Sequence, residues 1–112
     1  MKVYTYRTDS GKDLIEGYLK SIPDRERAES AAILNGLTDI GLDALTELNT
    51  RQIDGKLWEI KFRRHNRLFY IIIGTEALYI VHACKKQKGK AEKKDIDKAK
   101  DRANRWEAGN AI

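Results

Sequence analysis

Residues 57–74, "LWEIKFRRHNRLFYIIIG", decide how this chain folds. Trp58, Ile60 and Phe62 alternate with Glu59, Lys61 and Arg63, the two-residue period of a strand with one buried face. Arg64, His65, Asn66 and Arg67 follow, and then the apolar run from Leu68 to Ile73. The stretch reads as two strands joined by a turn made almost wholly of cations. Asn and Gly alone suffice for a hairpin turn, so the positive charge asks for another reason.

Working outward, Gly74-Thr75-Glu76 is a tight turn into a third strand. Strands are expected at 57–63, 66–74 and 77–85, and short turns between them mean an antiparallel meander. Upstream, "GLDALTELNTRQIDGK" (41–56) is a long connection punctuated by Asn, Asp and Gly, part of which can pair with the sheet. "KVYTYR" (2–7) has the β-branched and aromatic content of a strand. Asp9 and Ser10 are candidate caps for a helix reaching Lys20, with Leu14, Ile15, Tyr18 and Leu19 as its stripe. Ser21, Pro23 and Asp24 start a second helix over 24–40, whose core face is Ile33, Leu37 and Ile40. From Lys93 to Trp106, Ile96, Ala99, Ala103 and Trp106 again fall on one helical face. The expected fold is a compact α+β domain over 1–112: strand, helix, helix, antiparallel three-strand meander, C-terminal helix. Its first two helices would cover one sheet face, which Trp58, Ile60 and Phe62 join, and the other face would stay partly open.

The 112 residues include a single cysteine, Cys84, so no intrachain disulfide can form. No signal-peptide pattern opens the chain, and the longest apolar run falls far short of the roughly 20 residues of a membrane helix. A cytoplasmic protein with no membrane partner is expected. The net charge of +5 is unevenly spread, −3 over residues 1–55 and +8 over 56–112. That asymmetry points to a polyanionic partner for the second half; the alternative is a basic surface kept for solubility.

Glu59, Lys61 and Arg63 share one strand face, Arg67 opens the next strand, and the third runs into "KKQKGK" with Lys85, Lys86 and Lys88. Antiparallel pairing brings Lys61, Arg67 and Lys86 to one end of the sheet, where cations can line a groove for a nucleic-acid backbone. RNA can be cut through its own 2′-hydroxyl. An enzyme must then take that proton, stabilise charge on phosphorus and protonate the leaving 5′-oxygen. Arginine suits the second task, because its fork bonds two phosphate oxygens and stays charged. Glu59 or His82 can move protons; equally, Glu59 can be a salt-bridge partner of Lys61 and His82 a satisfied buried histidine. His65 is a contact at most, and Cys84 reads as a small sheet residue. Phe62 or Tyr70 would stack a base if exposed. Neither a metal-binding cluster nor a glycine-rich phosphate loop is apparent, so no metal and no cofactor are expected.

"KLWEIKF", "RLFYIII" and "VHACKKQKGKAEKKDIDKAKDR" together resemble the HigB branch of the RelE-like toxins, over roughly residues 57–105. The resemblance implies a ribosome-dependent, metal-independent mRNA endonuclease that inhibits translation. It also implies a cognate antitoxin, usually a helix-turn-helix DNA-binding protein. Carried over by position, Lys61, Arg67 and Lys86 are the catalytic candidates. Glu59, Arg63, Arg64, His82, Lys85 and Lys88 are RNA-binding candidates. Two departures stand out. Lys61 replaces the usual Arg, and the loop lacks the Thr and Pro common before the last helix. The rival reading is a non-catalytic basic binding module, an inactive relic of such a toxin.

Overall fold

The computed structural model describes residues 1–86 and 90–110. Its elements are β1 (Lys2–Thr5), α1 (Leu14–Ser21), α2 (Asp24–Ile40), a 3-10 turn (Gly41–Glu47), β2 (Asn49–Asp54), β3 (Leu57–Phe62), β4 (Asn66–Ile73), β5 (Ala77–Lys85) and α3 (Lys90–Asn110). The strands form one sheet in the order β1-β5-β4-β3-β2. β2 to β5 run antiparallel in sequence, and β1 lies parallel to β5 at one edge.

The α+β class and the β3–β4–β5 meander are as expected. The connection before them contributes a full edge strand, β2, joined to β3 through Gly55 and Lys56. Gly55 has φ +57, a conformation that costs glycine nothing, and it sits first in a two-residue hairpin loop. α1 begins later than expected. Its cap is Asp13, whose Oδ1 accepts from the Ile15 and Glu16 amides, so Asp9 and Ser10 do not cap it.

The sheet carries a core on each face. On one, Ile60, Phe62, Leu68, Tyr70, Leu78 and Ile80 pack against Ile15 and Leu19 of α1 and Ile33 and Leu37 of α2. On the other, Leu57, Phe69, Ile71, Tyr79 and Val81 pack against Ala99 and Ala103 of α3, with Ile96 and Trp106 alongside. The expectation of a partly open face is therefore corrected: α3 closes it. The two alanines let the helix approach the sheet closely. Phe62 and Tyr70 are buried in the first core at 4% and 1% exposure, which rules out base stacking by either in this conformation.

One irregularity places functional groups. β5 carries a bulge at Val81, because Phe69 pairs with His82 while Tyr70 pairs with Ile80. The extra residue shifts the alternation, so Val81 and His82 both serve the α3 face, and Cys84 follows.

Candidate functional site

The β3–β4 turn is built on two left-handed residues that are not glycine, Arg63 (φ 51) and Arg64 (φ 64). Each costs roughly 1–2 kcal/mol of steric strain, so neighbouring contacts must hold the turn. Arg63 Nε donates to Glu29 Oε2 of α2 at 2.6 Å. Arg67 Nη1 donates to the carbonyl of Arg64 at 2.9 Å, and the Lys86 amide to that of His65 at 2.6 Å. Asn66 is fully buried, its carbonyl oxygen taking the Tyr18 hydroxyl of α1 and its amide donating to Glu26 of α2. Burial pushes the Tyr18 phenol up to about 12, which keeps it a donor at neutral pH. The turn is thus clamped to both helices, with Arg67 and Lys86 attached to it through the backbone.

Across the sheet, Asn49, Lys61, Arg67 and Cys84 fall in one row, and Arg51, Glu59, Phe69 and His82 in the next. The α3-side groups at this end enclose a hollow of about 170 Å³ lined by Asn49, Arg51, Glu59, Lys61, Arg67 and Lys86. A smaller cleft of about 10 Å³ shares Glu59, Arg67 and Lys86 with it and adds Phe69, Cys84, Glu92 and Asp95. The three catalytic candidates therefore converge on one concave surface.

The hollow is not the purely cationic groove that composition suggests. Glu59 is 4% exposed. Its Oε1 lies 3.3 Å from Arg51 Nε and 3.6 Å from Arg67 Nε. Two guanidiniums compensate that burial, as a desolvated carboxylate requires. Its Oε2 is buried with no hydrogen-bond partner among the described residues. Arg67 is equally buried, and its Nη1 donates to the carbonyls of Arg64 and Asn66. Lys61 and Lys86 are exposed at the mouth.

The other sequence candidates fall elsewhere. β3 ends at Phe62, and Arg63 turns to α2 and not onto the face of Glu59 and Lys61. Arg64 is exposed at the turn. Lys85 pairs in register with Asn66, on the α1–α2 side of the sheet. Lys88 lies outside the described residues. Arg51 and Glu92 were missed by sequence reasoning. The Asp54-Gly55 dipeptide was the available signal for Arg51, since it marks the hairpin that lifts β2 beside β3.

His82 lies beneath α3. Arg102 Nη1 donates to His82 Nδ1 and to the Val81 carbonyl, each at 3.0 Å, and its guanidinium stacks 4.1 Å above the Tyr6 ring. With Nδ1 accepting, the imidazole hydrogen resides on Nε2, which lies 2.8 Å from Asp95 Oδ1. The satisfied buried histidine is thus the arrangement found. His82, Cys84 and Asp95 place ligand-type atoms within 4.8 Å of one another, which corrects the expectation that no such cluster exists. Its surroundings do not suit a cation. A metal-binding histidine donates from its second nitrogen, whereas here that nitrogen accepts from an arginine. Burial also pushes the Cys84 thiol up to about 12.

Burial pushes His82 below its ordinary value of 6.5, outweighing the opposing effect of Asp95. A folded value below the unfolded one means that the unfolded chain binds the extra proton first. The neutral ring's contribution is complete above the unfolded value and disappears as pH falls through the folded one. Urea unfolding should show the wild type losing more stability than His82→Gln between about pH 7.5 and about pH 5. Equal losses would remove His82 from the pH response.

Fold and hollow define a small α+β domain that gathers arginine and lysine around a buried carboxylate at one end of its sheet. The family model described as Phage derived protein Gp49-like matches residues 17–104, and the chain belongs to that family, which lies among the RelE/HigB-like toxin-like proteins. No curated protein matches it. Among the described residues, no helix is long and apolar enough to cross a membrane.

Proposed function

We propose that this protein is the toxin of a type II toxin–antitoxin module, of the HigB branch, and that it cuts mRNA on the ribosome. The observation that carries this reading is the convergence of Lys61, Arg67 and Lys86 on one hollow around buried Glu59. In this mechanism RNA entering the hollow opens the exposed Arg51 pair over Glu59, and the 2′-hydroxyl gives its proton to the carboxylate so uncovered, whose Oε2 has no hydrogen-bond partner among the described residues. The 2′-oxygen bonds to phosphorus, and the bond to the 5′-oxygen breaks. Arg67 and Lys61 stabilise the charge on the phosphoryl oxygens, and preorganised donors of this kind are commonly the largest catalytic contribution. Lys86 gives a proton to the departing 5′-oxygen. The products are a 2′,3′-cyclic phosphate and a 5′-hydroxyl. Arg64 at the turn supplies backbone contact, and a helix-turn-helix antitoxin neutralises the protein.

One observation favours the rival, a non-catalytic RNA-binding relic: Arg67 already spends Nη1 on two backbone carbonyls. Incubation with purified translating ribosomes separates the two. Cleaved mRNA supports the enzyme. Intact mRNA in the presence of well-folded, ribosome-bound protein supports the relic.

A further inference from the structure

Arg51 stands on the edge strand β2, with its side chain 56% exposed at the mouth of the hollow. Its Nη2 lies 3.0 Å from Glu92 Oε1, on the first turn of α3. The other oxygen of Glu92 lies 4.0 Å from Lys86 Nζ. One carboxylate therefore spans a guanidinium and an ammonium that both line the hollow. A phosphodiester carries the same single negative charge and accepts from the same donors, an arginine fork and a neighbouring point charge. Glu92 also belongs to the segment between Lys86 and Asp95, where the sequence departs from the family pattern.

We propose that Arg51 and Lys86 form a second phosphate subsite, for a nucleotide flanking the one cut, and that Glu92 occupies it until RNA displaces the carboxylate. The subsite presupposes that the hollow binds RNA. Glu92 then acts as an internal competitor, which sets how tightly RNA is held without touching the reacting atoms. The ion pair is partly exposed, so its competing effect is modest.

The test uses the full chain and a short, fluorescein-labelled, fully 2′-O-methylated single-stranded RNA, which binds but cannot be cut. Anisotropy titrations at several salt concentrations compare the wild type with Glu92→Gln, Arg51→Gln, the double variant, Lys61→Gln and Asp101→Asn. Glu92→Gln should bind about two- to fivefold more tightly. Its log–log salt slope should steepen by about 0.7, the signature of one more phosphate contact on a single strand. Asp101→Asn removes the same charge from an exposed position further along α3 and should change nothing. The gain should vanish when Arg51→Gln is added. An equal gain in Asp101→Asn would reduce the effect to overall charge and overturn the subsite. A gain that survives Arg51→Gln, or no gain at all, would overturn it as well. A stability loss in Glu92→Gln with unchanged affinity would make Glu92 only a tether for α3. Binding that is sensitive to Lys61→Gln but indifferent to Glu92 removes the subsite alone. Absence of Lys61-dependent binding removes phosphate binding by the free hollow, and the subsite with it, while cleavage on ribosomes tests the proposed function separately.

Discussion

Arg67→Ala is expected to reduce mRNA cleavage on the order of 100–1,000-fold and to lower unfolding free energy by about 3 kcal/mol. The stability loss follows from burial, and the catalytic loss from the proposed role of Arg67 in stabilising charge on the phosphate. The guanidinium holds the backbone of the β3–β4 turn through Arg64 and Asn66 and lies against Glu59, whose carboxylate is buried with it. Truncation leaves Glu59 with Arg51 as its remaining ion-pair partner among the described residues. It also frees a turn that carries two strained arginines. Urea unfolding reads the stability loss, and cleavage assayed at a temperature where the variant is still folded reads the catalytic one. Arg67→Lys should recover part of the stability and little of the activity, because a point charge cannot reproduce the fork. Full stability in Arg67→Ala would mean that the turn holds itself.

Lys61→Ala separates catalysis from folding. Lys61 faces Arg67 across the β3–β4 ladder, in the same row, but its side chain is exposed at the mouth of the hollow. Its removal should change stability by no more than about 0.5 kcal/mol, as for other exposed positions. Loss of one charge-stabilising group should still slow cleavage on the order of 100-fold. Thermal unfolding beside single-turnover cleavage makes the comparison. Unaltered cleavage would move the reacting phosphate away from this row. Lys61→Arg provides a second probe: restoring the fork at this position should maintain or raise the rate.

The parts that were legible in the sequence were those with strong local patterns. The alternation of Trp58, Ile60 and Phe62 set the α1–α2 face of β3, and its partner strands followed from short turns. The second core was written there too, in the unbroken run Leu68 to Ile73. A strand apolar on both faces is covered on both, and the Ile96, Ala99, Ala103, Trp106 stripe was its cover. What stayed hidden depended on through-space placement. A bulge at Val81 turns His82 under α3, and no local residue pattern announces it. Arg63 leaves the face of Glu59 because the strand stops one residue earlier and the chain enters left-handed turn geometry. Arg51 and Glu92 meet across 41 residues, from an edge strand and the start of a helix. Composition counted the cations correctly but could not show that Glu59 and Glu92 sit among them.

The chemistry of the cut ends tests the central claim most directly. Purified protein is incubated with ribosomes paused on a defined mRNA, and the downstream fragment is tested for labelling by polynucleotide kinase with and without prior phosphatase. A hollow that activates the 2′-hydroxyl through Glu59 and protonates the leaving oxygen through Lys86 predicts a 5′-hydroxyl, labelled without phosphatase, and its loss in Lys61→Ala. A 5′-phosphate on that fragment, or equal cleavage by Lys61→Ala, would contradict it.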